Sequence, residues 1–145
     1  MIYSNLKPKL NFRPSTSDIT EDYVGPPDKD SNLRPVIRNK TQNETHLAKR
    51  LKEMQIEVHN WNQDFWKRHN TRFYEEKQLF LKVNNQSNKE LSPDQMSTFY
   101  KIFLDRNWKV HCLYNMSWYI KNLNLLLLSG QVYVQDLFIR IRKQV

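Results

Sequence analysis

Four histidines and one cysteine are the side chains that could hold a soft metal or a haem iron in this 145-residue chain. His46, His59 and His69 stand 13 and 10 residues apart, so no two of them share the i, i+4 spacing that turns a pair of imidazoles onto one helix face. His111 and Cys112 are adjacent, a pairing that suits copper or an axial haem position. Neighbouring helix positions nevertheless point about 100° apart, so the two would rarely grip one ion. The plainer reading makes His111 a surface histidine and Cys112 a small buried apolar residue. His111 and His59, each beside Trp and Tyr, are the candidate cofactor ligands for haem or copper. No motif demands either group, and no metal centre is assigned. The chain has no His-Glu-x-x-His, no paired cysteines, no phosphate-binding glycine loop and no nucleophile elbow. An enzyme is therefore not expected, and no catalytic residue is named.

Charge and aromatics point to binding instead. Net charge is +8, distributed as +2 over residues 1–40, +1 over 41–100 and +5 over 101–145. A basic C-terminal end favours an acidic partner such as anionic lipid, with Arg140, Arg142 and Lys143 as the candidate membrane contacts. The near balance of residues 41–100 argues against nucleic acid. Four Trp, seven Tyr and seven Phe exceed what one helical seam needs. Most should be core, while Trp66 and Trp118 are candidates for an exposed platform. A single cysteine precludes an internal disulfide. The longest apolar run, Leu125 to Leu128, falls far short of the roughly 20 residues that span a bilayer.

Only two glycines argue for helices to position these groups. Residues 1–21 read as a disordered tail or transit-peptide remnant, and residues 22–145 as one helical domain. Residues 22–38, with three prolines and no helical period, read as an ordered extended loop or as a disordered linker; Asp28, Ser31 and Asn32 have the short side chains that bond nearby amides in turns. Tyr23, Val24, Leu33 and Val36 are its candidate anchors. From Leu47 the apolar positions Leu51, Met54, Val58, Trp61 and Phe65 follow at steps of four and three, predicting a helix over residues 44–83 with a stutter or a bend near Asn70 and Thr71. Ser92-Pro93-Asp94-Gln95 is a helix start: cap serine, proline at the first helical position, acid in the first turn, glutamine three residues after the cap. A second long helix follows, and Gly130 is expected to divide it from a short last helix over residues 131–143. The predicted fold is all-α: a long antiparallel helical hairpin, a short C-terminal helix, and the Pro-rich segment packed on it.

The run Tyr23-Val24-Gly25-Pro26-Pro27-Asp28-Lys29, followed by Ser31-Asn32-Leu33-Arg34-Pro35, resembles the signature of the mitochondrial apoptogenic protein family, also called cytochrome c oxidase assembly factor eight. Trp61-Asn62-Gln63 with Phe65-Trp66, Phe99-Tyr100-Lys101 with Phe103-Leu104, and His111 with Tyr114-Asn115 and Trp118-Tyr119 extend the resemblance across roughly residues 22–140. Cys112 and Leu113 stand outside the pattern. The resemblance implies a nuclear-encoded mitochondrial protein, peripheral on the matrix side of the inner membrane, that supports biogenesis of the terminal oxidase and catalyses nothing. Its partners would be oxidase subunits or other assembly factors, together with anionic inner-membrane lipid. The contact surface expected from it is Tyr23, Gly25, Pro26, Pro27, Asp28, Asn32 and Arg34 of the loop, with Trp66 and Trp118. The oligomeric state stays open.

Overall fold

A computed structural model describes residues 21–39, 44–84 and 92–144. The expected tail or transit-peptide remnant lies outside these residues, apart from Glu21. The described chain is two helices and a small strand pair: β1 (Tyr23–Val24), β2 (Val36–Ile37), α1 (His46–Asn84) and α2 (Pro93–Gln144). The all-α expectation holds. β1 and β2 run antiparallel, Tyr23 opposite Ile37 and Val24 opposite Val36, and close the Pro-rich segment into a loop.

Each helix begins where the sequence provides a cap. The Thr45 hydroxyl accepts the Ala48 amide at 3.2 Å, so α1 starts at His46 rather than at Glu44. At α2 the Ser92 hydroxyl accepts the Gln95 amide at 3.3 Å, and Gln95 Oε1 accepts the Ser92 amide at 2.9 Å, a reciprocal capping box.

α1 is one uninterrupted helix, about 58 Å long at 1.5 Å per residue. Of the two expected forms, one long helix with a stutter or two helices meeting at a bend, the first holds: the eight-residue step from Phe65 to Phe73 is bridged by His69, buried in the seam between them. α2, about 78 Å long by the same rise, also runs unbroken, and the separate C-terminal helix is corrected to a continuation of α2 through Gly130. Glycine inside a helix costs about 1 kcal/mol relative to alanine, which cooperative propagation overcomes when both flanks are held. Here Leu128 is buried and Val132 half-buried, one on each side of Gly130.

The helices pair antiparallel. Phe80 meets Phe99, Phe73 meets Phe103, Trp61 stacks on Tyr114, and Leu47 lies in one groove with Leu127 and Val134. The core is a single layer; among the described residues Val58, Phe99, Phe103, Tyr114 and Leu128 are the buried apolar ones, and no side chain is below 2 % exposure. Much of α2 consequently shows its apolar side chains to solvent, from Leu104 to Ile141.

Candidate functional site

Three features of the fold bear on function: the clamped loop, the aromatic seam with its histidines, and the outer face of α2.

The loop is ordered by Asp28. Its Oδ1 accepts the amides of Asp30 and Ser31, each at 3.0 Å, while its own amide donates to Leu33 O at 2.8 Å and its carbonyl accepts the Asn32 amide at 2.9 Å. The Ser31 amide, above all, holds the Asp28 carboxyl below the usual carboxylate range. Asn32 sits at φ 60°, a left-handed conformation that asparagine tolerates better than most residues. Gly25 is buried, with its amide on Pro35 O at 2.9 Å; a Cβ there would stand 2.9 Å from Pro35 Cγ, which is why only glycine fits. Arg34 Nη1 reaches Gly25 O at 3.4 Å.

α1 holds this loop along one side. The buried Ser31 hydroxyl lies between Asp28 Oδ1 and Gln63 Oε1 and accepts the Leu33 amide at 3.2 Å. Gln63 Nε2 donates to Leu33 O at 3.3 Å, Asn70 Nδ2 to Asp30 O at 2.8 Å, and Lys67 pairs with Asp30 at 3.1 Å. At the other end Asp22 pairs with Arg38 and accepts the Asn39 amide, and Lys52 donates to both Asn39 oxygens and pairs with Glu44. The loop residues therefore divide. Gly25 and Asp28 build the loop, Tyr23 is half-buried, and Pro26, Pro27, Asn32 and Arg34 turn outward. Val24, expected as an anchor, is 52 % exposed, because its neighbour Tyr23 takes the inward face of the strand.

The seam centres on Tyr114, whose ring stacks on Phe65 with centroids 4.0 Å apart and on Trp61 at 5.2 Å. Its hydroxyl accepts Trp66 Nε1–H at 2.8 Å and donates to Asn62 Oδ1. Trp66 is thus spent inside the hairpin, which corrects its assignment to an exposed platform; an indole N–H at a closing interface needs an acceptor, and Tyr114 supplies one. Trp118 is 37 % exposed, edge-on to Tyr119.

The two candidate cofactor histidines occupy different places. His59 lies under the loop, beside a cavity of about 400 Å³ lined also by Asp28, Pro35 and Gln63; its Nε2 is buried without a partner, and burial, helped by Arg38, lowers its pKa. His111 faces the hairpin interior, where its ring meets the His69 ring edge-on at 4.5 Å. His69 Nδ1 and His111 Nε2 are both buried without a partner. Burial, then His111 and Arg72, lower the His69 pKa. Sequence reasoning passed over His69 as a ligand, although the four-residue spacing from Phe65 and to Phe73 already placed it in the seam. Cys112 is exposed, correcting the expectation of a buried thiol: with His111 turned into the seam, the next residue must turn out. Among the described residues no three His, Cys, Asp or Glu come together to hold a metal.

The outer face of α2 is apolar from Leu113 onward, and its last turns expose Arg140, Arg142 and Lys143. No helix among the described residues is long and apolar enough to cross a membrane.

Comparison with known proteins places this geometry in a lineage. A mitochondrial protein of Drosophila melanogaster, named as a member of the COA8 family, is 50 % identical over 129 residues, which are 88 % of this chain and 73 % of that protein. Cytochrome c oxidase assembly factor 8 of Mus musculus is 35 % identical over 134 residues, 85 % of this chain and 70 % of that protein. Its namesake in Homo sapiens is 33 % identical over 134 residues, 85 % and 65 %. No solved structure matches. The family model of cytochrome c oxidase assembly factor 8 matches residues 21–138, so the clamped loop, the aromatic seam and nearly all of α2 fall within it, and the chain belongs to that family.

Proposed function

We propose that this protein supports the assembly of mitochondrial cytochrome c oxidase without catalysing a reaction, by holding oxidase subunits or other assembly factors at the matrix face of the inner membrane. The observation that carries the reading is the outer face of α2, a long row of exposed large apolar side chains on a helix whose opposite face is already packed against α1. Soluble chains rarely leave so large a contiguous patch uncovered unless a partner covers it. The names of the family's members supply the assembly role. The outward loop side chains Pro26, Pro27, Asn32 and Arg34 form a second patch on the clamped loop, rigid enough to be recognised without an ordering cost. The cationic last turns, with Arg140, Arg142 and Lys143, suit anionic lipid.

The test is complementation. In cells lacking the protein, the wild-type chain should restore assembled oxidase on native gels. Pro26→Asp, which leaves the loop's internal hydrogen bonds in place, and Arg34→Glu, which gives up only the long Arg34 Nη1–Gly25 O bond, should restore less while accumulating to the wild-type level. Full restoration by both would remove the loop from the contact surface.

A second reading, cofactor handling, draws on the two unpartnered nitrogens of His69 and His111. Rings 4.5 Å apart leave no room for a porphyrin between them, so copper suits the pair better than haem. Titration with copper(I) against a chromogenic chelator, and with haem by the Soret band, tests it: binding lost in His111→Ala supports this reading, and no uptake at micromolar concentration ends it.

A further inference from the structure

α2 carries two heptad seams; among the described residues α1 packs along one and borders the other only at Leu47, in the groove with Leu127 and Val134. The series that starts at Tyr114 and passes through Leu125 and Leu128 to Gln135 faces α1. A second series starts Leu113, Met116, Ile120 and continues at alternating steps of three and four to Ile141, every member a large apolar residue except Gly130. Its first members are 67 %, 64 % and 56 % exposed. Three-four spacing over 29 residues is the pattern that seats knobs into the holes of a facing helix, and at about 1.5 Å per residue it runs for roughly 43 Å. The two seams lie about 150° apart around the helix, the arrangement of a central helix between two neighbours.

Gly130 sits in this second seam. A Cβ there would meet nothing within 4 Å, so no contact among the described residues requires glycine, although it weakens the helix relative to alanine. A missing side chain in the middle of a seam lets a facing backbone come close. It also opens the groove of about 800 Å³ that Leu127, Val134 and Phe138 share with Leu47 of α1.

The flanks of the seam say what kind of helix it fits. Ser117, Asn124 and Gln131 border it on one side, Tyr119, Leu126 and Tyr133 on the other. A helix pair formed in water carries charges at these positions. Here the sole charged side chain between Lys109 and Asp136 is Lys121, whose ammonium lies 5.2 Å from the Trp61 ring on the α1 side. Small and amide residues beside an apolar seam are instead the grammar of helix packing in lipid. A lipid surface itself would be met by cations along the flanks, which this stretch lacks. A second copy fits no better. Pairing α2 with itself in parallel sets Lys109 on Lys109 and Arg140 on Arg140, and the antiparallel pairing sets Lys109 against the Arg142 and Lys143 end, so like charges meet either way.

We propose that the second seam of α2 receives an uncharged apolar α-helix of about bilayer-spanning length from a partner protein, making α2 the middle helix of a three-helix unit. The proposal deepens the assembly reading above, which supplies only the partner's identity.

The experiment uses the full-length protein and a fluorescent peptide of 20 leucine and alanine residues with two glutamates at each end, presented in dilute nonionic detergent and read by anisotropy. Saturable binding is expected, weakened at least tenfold by Gly130→Leu and by Leu123→Asn. Gly130→Leu should keep or raise the melting temperature, so its loss of binding cannot come from unfolding. Both variants binding within twofold of wild type would overturn the proposal. So would seam-dependent binding to cardiolipin and phosphatidylcholine vesicles with no effect on the peptide, or a dimer in sedimentation that Gly130→Leu abolishes. A photo-crosslinker at position 123, used in mitochondria, separates this proposal from the reading beneath it. Crosslinks to a membrane-spanning segment of an oxidase subunit support both. Crosslinks to such a subunit only outside its spanning segments overturn the proposal and leave the assembly reading; peptide binding with no oxidase component crosslinked does the reverse.

Discussion

Tyr114→Phe isolates the hydrogen bonds that tie the two helices together. The substitution keeps the ring that stacks on Phe65 and Trp61, and removes one oxygen that accepts from Trp66 Nε1 at 2.8 Å and donates to Asn62. Two polar groups then lose their partners at once. An unsatisfied buried group costs about 1–3 kcal/mol, and since Trp66 and Asn62 are only half-buried each belongs at the low end, giving about 2 kcal/mol together. For a chain of this length that is a fall of about 7 °C in melting temperature. Urea unfolding followed by far-ultraviolet circular dichroism, which loss of an indole does not distort, measures it on wild type, Tyr114→Phe, Trp66→Phe and the double variant. The coupling energy should be about 1 kcal/mol, because with Trp66 already replaced the phenol oxygen has one fewer partner to lose. A single-variant cost below about 0.5 kcal/mol with no coupling would mean that water satisfies these groups and that stacking alone holds the seam.

Four further outcomes follow from the same geometry. Phe103→Ala, at 3 % exposure and in contact with His69 and Phe73, should cost about 3–5 kcal/mol in urea unfolding and leave a chain this thinly cored close to unfolded. Asp28→Ala removes the acceptor of the Asp30 and Ser31 amides; a loss of about 1–2 kcal/mol should appear with faster hydrogen exchange confined to residues 25–37, and unchanged exchange there would remove Asp28 from its ordering role. Gly25→Leu drives a Cβ against Pro35 and should expose the loop to limited proteolysis without lowering helix content. The folded chain disfavours protonation of His69 and His59, whose pKa values lie below their ordinary 6.5. The unfolded chain therefore binds more protons below pH 6.5, and stability should be full above that value and fall as the pH drops through the lowered native pKa values. Arg72 and His111 face His69, and Arg38 faces His59, so the fall should be shallower in His69→Leu; an acid limb identical to wild type would contradict the burial argument.

The sequence made legible whatever depends on local spacing. The three-four rhythm from Leu47 to Phe65 announced α1, and Ser92 to Gln95 announced the start of α2, because capping and seam formation are decided within a few residues. The short side chains of Asp28, Ser31 and Asn32 announced a turn for the same reason. What stayed hidden was long-range. Nothing near Trp66 tells that its N–H has a phenol 48 residues away to bond, so an interface tryptophan looked like a free platform. His69 escaped because a polar residue interrupts an apolar pattern on paper, whereas in the hairpin it lies between aromatic rings. Gly130 read as a break since glycine usually is one; only the burial of Leu128 and the half-burial of Val132 on either side show the helix held through it.

The thin core and the bare seam are two sides of one design problem. A two-helix hairpin buries one stripe of each helix, and in this one no described side chain falls below 2 % exposure. The chain compensates on α1 by laying the Pro-rich loop along it, fastened by Gln63, Lys67 and Asn70, so α1 is covered on two sides. Among the described residues α2 receives no such cover, although its apolar side chains outnumber those of α1. If stability alone had shaped α2, charged residues on its outer face would cost nothing in the folded hairpin and would discourage aggregation. Their absence between Lys109 and Asp136, Lys121 aside, means that face is written for contact. Adding charge there should therefore cost function before stability: Leu123→Lys should leave the urea midpoint within about 0.5 kcal/mol of wild type, as exposed substitutions do, while abolishing rescue of oxidase assembly. Full rescue by a stable, abundant Leu123→Lys protein would show that the outer face of α2 touches no partner.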